Sequence, residues 1–267
     1  IWRGKLNSEQ IKQQKRQNDA KDDENLASLL VDGTKLINED KESHHFAGIA
    51  TLQAVACSKN EVFAVPAMDI LADVVMDTYN DKNRVYKYMA CRRALRAASV
   101  VGHTSNRTIK IDLSSEPQKP IPTILGCSRL RVTGGTIAGS RYEKIRTEML
   151  LELRDATVKT AVVAKEAWSV KGCALIDCHI KYLAQDFIEN NSYTNCEFSG
   201  AETSRIGLTD RDGGFLKKLE NAGNYYVTGT PPETIGNINP TLALQAKSHG
   251  RSNRLVRSRP QLRRAPS

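Results

Sequence analysis

The sequence predicts an α+β protein, a helical N-terminal module followed by a short right-handed parallel β-helix. Three observations carry this. Between residues 24 and 103 apolar residues recur every three or four positions, the period of a one-sided helix. Over residues 123–205 the apolar centres Leu130, Leu153, Leu175 and Phe198 recur at gaps of 23, 22 and 23 residues, and a second ladder runs through Ile137, Val158 and Ile180 at gaps of 21 and 22. Between these regions lies a stretch rich in Thr and Ser with Pro117, Pro120 and Pro122, which opposes helix.

Residues 1–23 read as a polar helix or stalk dominated by Gln and Lys. Trp2 followed by Arg3 fits the cytosolic flank of a membrane span, the aromatic at the interface and the cation beyond it. A frayed terminus fits the same residues. Position 1 is Ile, which reads as a fragment or processed product, so an anchor is expected upstream. Residues 24–103 form the helical module. Its stripes are Leu26, Leu29, Leu30, Leu36 and Ile37; then Phe46, Ile49, Leu52 and Val55; then Val65, Met68, Leu71 and Val75; then Tyr88, Cys91, Leu95 and Ala98, ending before Gly102. Pro66 is compatible with the third stripe only in a first helical turn. The links near Asn38–Lys41, Ser58–Glu61 and Asn80–Asn83 are short, which favours antiparallel pairs stacked in a HEAT-like or armadillo-like way.

Residues 104–122 read as a transition segment in which Ile109, Ile111 and Leu113 alternate as one short strand. Residues 123–205 then read as the β-helix. A unit of about 22 residues is too short for a helical hairpin with loops and suits one coil whose strands stack on those of the next. A shorter step runs within the coils. Ala156-x-Val158 and Ala161-x-Val163 lie five residues apart, as do Cys173-x-Leu175 and Cys178-x-Ile180. A small residue two before an aliphatic, repeated every five, resembles the pentapeptide-repeat family, whose narrow square β-helix admits one large and one small inward side chain per face. The pattern is degenerate, because Glu166 stands where a small residue should precede Trp168. A looser parallel β-helix fits equally well. The stretch Leu30-Val-Asp-Gly-Thr-Lys-Leu-Ile with Phe46-Ala-Gly-Ile-Ala-Thr-Leu also resembles a helical segment of bacterial pentapeptide-repeat membrane proteins, with His45 where those carry Arg. The resemblance implies a bacterial, membrane-anchored protein with its β-helix on the cytoplasmic face of the inner membrane, and it implies no chemistry.

Residues 206–267 read as a cap and a disordered basic tail. Phe215, Leu216 and Leu219 supply one helix to cover the open end of the stack. The formal charge is +9, but Lys247, Arg251, Arg254, Arg257, Arg259, Arg263 and Arg264 supply seven of those charges with no acid among them. The rest of the chain is close to neutral. The tail fits a solubilising segment, a contact to an anionic membrane surface, or a charge-driven contact to nucleic acid. It has no interleaved aromatics, so base stacking is unsupported. Residues 120–205 hold eleven basic and ten acidic residues, which excludes an acidic face that mimics DNA.

Chemistry is sparse. Gly134-Gly-x-x-x-Gly139 lacks the Lys-Ser/Thr of a phosphate loop and reads as a coil corner. The six cysteines are spread through apolar patterns without zinc spacing, which favours reduced, buried thiols. His179 alternates with Cys178 and Ile180, so it points away from both, and His44 and His45 read as surface or capping residues at a helix start. The one catalytic candidate is Asp155 with Asp177. They lie 22 residues apart, each two residues after a ladder centre, and on stacked coils would sit one rung apart, about 5 Å. Stacked carboxylates serve acid/base or cation chemistry in carbohydrate-acting β-helices. The neighbouring rungs offer only Val132 and Gly200, so the other reading is two solvated corner residues. The expectation is therefore a non-catalytic scaffold or protein-interaction module without cofactor or metal. The alternatives are a carbohydrate-acting enzyme using Asp155 and Asp177, and a nucleic-acid-associated protein using its tail.

Overall fold

The computed structural model describes residues 2–139, 150–163, 168–183, 187–188, 190–198, 202–203, 214–227 and 231–235. The chain opens with helix α1 (Trp2–Ile37), which runs unbroken past the polar stretch. Leu26, Leu30, Gly33 and Ile37 turn one face inward while Leu29 and Val31 stay exposed. Helix α2 (Glu42–Ala56) buries Gly48, Ile49, Leu52 and Val55 against it. The crossing is close because each helix has a glycine at the contact: a Cβ on Gly48 would stand 2.6 Å from the Ile37 nitrogen and 2.8 Å from the Gly33 carbonyl oxygen. Phe46 belongs to the expected stripe but is 46% exposed and lies beside the Tyr86 ring instead. The last carbonyl of α1, that of Ile37, accepts a 2.6 Å hydrogen bond from the buried Lys87 ammonium, a cation where a helix end attracts one.

Helix α3 (Glu61–Thr78) begins at Asn60, whose side chain accepts from the Val62 amide, and buries Ala64, Met68, Leu71 and Val75. Pro66 is the sixth residue of α3, beyond the first turn to which the sequence confined it. Pro66 and Val62, the residue whose carbonyl its missing N–H would have reached, both lie on the exposed side. Helix α4 (Val85–Val101) buries Tyr88, Cys91, Leu95 and Ala98 and stops at Gly102, whose φ of +106° turns the chain out of the helix.

Between residues 105 and 203 the described residues form a parallel β-solenoid of about three turns. Its strands are β1 (Ser105–Leu113), β2 (Cys127–Gly134), β3 (Thr136–Ala138), β4 (Leu150–Arg154), β5 (Thr157–Lys159), β6 (Val162–Val163), β7 (Trp168–Lys171), β8 (Ala174–Ile176), β9 (His179–Ile180), β10 (Tyr182–Leu183), β11 (Ser192–Thr194) and β12 (Glu202–Thr203). A first sheet stacks β1, β2, β4 and β7, and a second stacks β3, β5, β8 and β11. Two smaller sheets pair β6 with β9 and β10 with β12. Residues 104–122 are the first rung: β1 pairs with β2 along its length, and Pro120 bridges to Thr136.

The predicted column of Leu130, Leu153, Leu175 and Phe198 does not form. Leu130 stacks on Leu151 and Leu153 stacks on Val132, both in the first sheet; Leu175 stacks on Val158 and Tyr193 in the second. Phe198 follows Glu197, which bridges to His179 of β9 on a third face. Of the second ladder, Ile137 and Val158 do pair, but Ile180 pairs with Val163. The coil length is 21 residues from Leu130 to Leu151 and 17 from Leu151 to Trp168. The 22 residues from Leu153 to Leu175, and from Val158 to Ile180, are one 17-residue coil plus one five-residue step to the next face, whereas the 23 from Leu130 to Leu153 are one 21-residue coil plus two residues along the same sheet. Those steps are real: Leu153, Val158 and Val163 are buried on successive faces of one coil, and Val170, Leu175 and Ile180 on those of the next. Glu166 lies outside the described residues.

Both ends of the stack are closed, as exposed strand edges require. Along β1 runs α3: the Asp69 carboxylate accepts from the Ser105 hydroxyl at 2.6 Å and the Asn106 amide at 2.8 Å, and Asp73 pairs with Arg107. At the far end helix α5 (Phe215–Asn221) leads into an antiparallel pair, β13 (Tyr225–Tyr226) and β14 (Glu233–Thr234). Leu219 is buried there, and the Tyr225 amide donates to the Cys196 carbonyl. One hydrophobic cluster runs from Ile37 to Ile235, so the helices and the solenoid share a core.

Candidate functional site

The corners of the solenoid place the two candidate carboxylates. At two columns of corners the backbone enters the left-handed region, where glycine and short polar residues strain least. One corner column is Gly134, Asp155 and Gly172, with φ of +72°, +49° and +68°; the next is Thr160, Asp177 and Asn195, at +51°, +53° and +51°. Asp155 and Asp177 therefore occupy different corners, and the stacked pair expected from their spacing does not exist. Each is engaged locally. The Asp155 carboxylate leans over Gly172, where a Cβ would meet its Oδ1 at 2.2 Å. The Asp177 Oδ1 accepts a 2.6 Å hydrogen bond from the Asn195 side chain one rung on. Gly134 and Gly135 turn the same first corner, as the sequence reading of that run has it.

The cysteines line the interior. All six are free thiols; Cys57 is half-buried and the other five are buried. Cys178 and Cys196 lie one rung apart, and the hydrogen bond that Cys196 donates to Cys178, then burial, hold the Cys196 thiol protonated well above the usual range. His179 is half-exposed between buried Cys178 and Ile180, facing away from both. His45 is not a surface residue: it is buried, donates from Nε2 to the Glu39 carbonyl at 2.5 Å and accepts at Nδ1 from the Tyr86 hydroxyl at 3.0 Å, tying α2 to α4. His44 meets the Glu39 carboxylate at the surface. No group of three His, Cys, Asp or Glu side chains among the described residues is placed to hold a metal ion.

Buried thiols give the fold an alkaline limit. Burial pushes Cys91 and Cys127 each up to about 12 from an ordinary 9.0. Above the ordinary value the unfolded chain releases protons that the folded chain keeps, so stability falls as pH rises. The slope is ~1.4 kcal/mol per pH unit for each thiol until its folded value is reached. The urea midpoint is expected to drop between about pH 8 and about pH 10, and Cys91→Ala with Cys127→Ala to flatten that drop; an unchanged midpoint would contradict the burial argument.

The feature that residue spacing did not reveal is the outer side of the first sheet. Alternation along β2 turns Leu130 and Val132 inward and Arg129, Arg131 and Thr133 outward. Register then sets Lys110, Arg131, Glu152 and Ser169 in one outer column and Asp112, Thr133, Arg154 and Lys171 in another. Glu152, only 15% exposed, is shared by two cations: Arg129 Nε lies 3.1 Å from one carboxylate oxygen and Arg131 Nε 2.5 Å from the other. These ion pairs hold Arg129, Arg131 and Glu152 on a face whose cations Lys110, Arg129, Arg131, Arg154 and Lys171 outnumber its acids Asp112 and Glu152. Alternation of apolar and charged residues in β2 signalled the exposed side; which charges become neighbours depends on a coil length that the sequence disguised.

No family model, no curated protein and no solved structure matches the chain. No helix of the described residues is long and apolar enough to cross a membrane. The side chains of Trp2 and Arg3, and the tail arginines Arg251, Arg254, Arg257, Arg259, Arg263 and Arg264, lie outside the described residues.

Proposed function

We propose that the protein is a non-catalytic scaffold that presents the outer side of its first sheet to an acidic surface on a protein partner. The observation that supports this most is the in-register face of Lys110, Arg129, Arg131, Arg154 and Lys171 around the shared Glu152 carboxylate. Stacked parallel strands, closed at both ends, hold such a face with little ordering left to do on binding, which is where rigid surfaces gain affinity. The excess of cations selects an acidic counterpart and speeds encounter at low salt. The narrower reading, a pentapeptide-type protein held at the cytoplasmic face of a bacterial inner membrane above a HEAT-like base, rests on the five-residue steps and the helical resemblance alone.

Site-specific photocrosslinking in cells tests the proposal. A photoreactive residue at Ser169, on the first sheet, is expected to capture one discrete protein species, and the same group at Lys159, on the second sheet, is not. Arg154→Glu with Lys171→Glu, at two exposed positions, should leave the circular dichroism unchanged and abolish the crosslink. Equal capture from both faces, no capture from Ser169, or a crosslink that survives the charge reversal would refute the proposal.

A further inference from the structure

A second group of cations stands on α4, apart from the sheet face. The seventeen residues of α4 include Lys87, Arg92, Arg93 and Arg96 and no acid. Lys87 is used inside the fold on the Ile37 carbonyl. Arg92 contacts Tyr88 and Met89, and Arg93 and Arg96 lie exposed. Arg92 and Arg96 are separated by one helical turn and share a side, with Arg93 beside them, an arrangement that raises the energy of a helix through like-charge repulsion. No carboxylate among the described residues lies within ion-pair distance of any of the three. Elsewhere on the described surface Arg84, Arg107, Arg129 and Arg131 each have one.

The arginines also face a concavity. The segment that leads into β2 crosses α4 so closely that a Cβ on Gly126 would stand 2.6 Å from the Leu95 carbonyl oxygen. Beside this crossing a pocket of about 210 Å³ opens between helix and segment, lined by Met89, Arg92, Arg93, Arg96, Thr123 and Leu125. Its lining residues are three arginines, one threonine and two apolar residues, with no acid among them. Arg92 is held in place by Met89, whose sulfur is 3.9 Å from Nη1.

We infer that this pocket binds a phosphomonoester dianion. Each guanidinium presents a planar fork that meets two oxygens of a phosphoryl group at once, which an ammonium cannot do. Three such forks around one concavity match a tetrahedral group with three terminal oxygens and two negative charges; a carboxylate fills one fork and leaves two unsatisfied. The Thr123 hydroxyl adds a neutral donor, and Met89 with Leu125 gives the ester's organic portion an apolar wall. Concavity selects a compact anion over an extended polyanion, which would lie across the flat first sheet instead. The dianion comes either from a small phosphorylated metabolite or from a phosphorylated serine of another chain, and the recognition chemistry is the same for both.

Calorimetric titration of the full chain tests this. Inorganic phosphate, phenyl phosphate, a short phosphoserine peptide and sulfate serve as probes at matched ionic strength. Saturable phosphate binding at about millimolar or tighter is expected, with Arg93→Ala and Arg96→Ala each weakening it roughly tenfold while circular dichroism stays unchanged. Binding of phenyl phosphate and of the phosphoserine peptide should weaken as pH falls through about 6, where a phosphomonoester loses its second charge. Tighter binding of phenyl phosphate than of the peptide identifies the small-molecule source; the reverse identifies the phosphorylated chain. Absence of saturable binding, equal binding of sulfate, or retention of affinity in both arginine variants would overturn the assignment.

Discussion

Asn224→Leu is expected to cost about 3–5 kcal/mol of folding stability and to unravel the last coil first. Asn224 is fully buried. Its Oδ1 accepts from the Cys196 amide at 2.9 Å, and its Nδ2 donates to the Tyr193 carbonyl at 3.0 Å and the Leu219 carbonyl at 2.7 Å. One side chain thus satisfies backbone groups of the final coil and of the helix that closes it. Leucine has similar volume and none of these functions, so it strands the Cys196 amide and the Tyr193 carbonyl, each costing about 1–3 kcal/mol when no water replaces the partner, and leaves the Leu219 carbonyl with the backbone amide of residue 224 alone. Asn191 does the same work one coil earlier, accepting from the Cys173 amide at 3.0 Å and donating to the Phe187 carbonyl at 2.7 Å. The recurrence marks a structural rule of this stack: where a helical turn replaces a strand, an asparagine side chain supplies the missing rung. Urea denaturation measures the loss, and hydrogen exchange locates it. Protection should fall at Ser192–Thr194 while α2 and α3 keep theirs; a loss below about 1 kcal/mol would show that the closure is not needed.

Gly126→Ala is expected to cost about 3 kcal/mol or more, whereas Gly102→Ala costs about 1 kcal/mol. Both glycines have positive φ, +84° and +106°, so any side chain strains both backbones. They differ in surroundings. A Cβ at Gly102 meets nothing within 4 Å, while at Gly126 it meets the Leu95 carbonyl oxygen at 2.6 Å and Met68 Cε at 3.0 Å. Helix α4 and the segment entering β2 would have to separate, and the Gly126 carbonyl that accepts from the Ser105 amide at 2.9 Å would move with them. Equal losses for the two variants, measured by the same denaturation, would mean that only the backbone conformation matters and that helices and solenoid are not tightly joined.

Much of the helical half was legible. Ile49, Leu52, Met68, Leu71, Cys91 and Leu95 declare their buried faces by spacing alone, because a helix packs its neighbours in sequence. Pro66 and Phe46 misled for a common reason: both lie where solvent, not packing, decides. In the solenoid the presence of coils was legible and their length was not. A narrow coil places a large side chain on each face every five residues, so the steps of 22 from Leu153 to Leu175 and from Val158 to Ile180 move one face round as they move one coil up and still meet an apolar residue. That alias carried Asp155 and Asp177 onto a shared column, although φ near +50° puts each at a corner of its own. Asn191 and Asn224 carry no pattern at all in sequence, since their worth comes from the backbone groups left open beneath them.

Backbone amide contacts in solution read the winding between residues 127 and 198 most directly. Nuclear Overhauser spectra of the deuterated chain should connect Thr157 with Ala174 and Ala174 with Ser192, and hydrogen-bond couplings should link the Ala174 amide to the Ala156 carbonyl. Backbone contacts that instead join Leu153 to Leu175 and Leu175 to Phe198 would restore a 22-residue coil, bring Asp155 beside Asp177, and contradict the structure described.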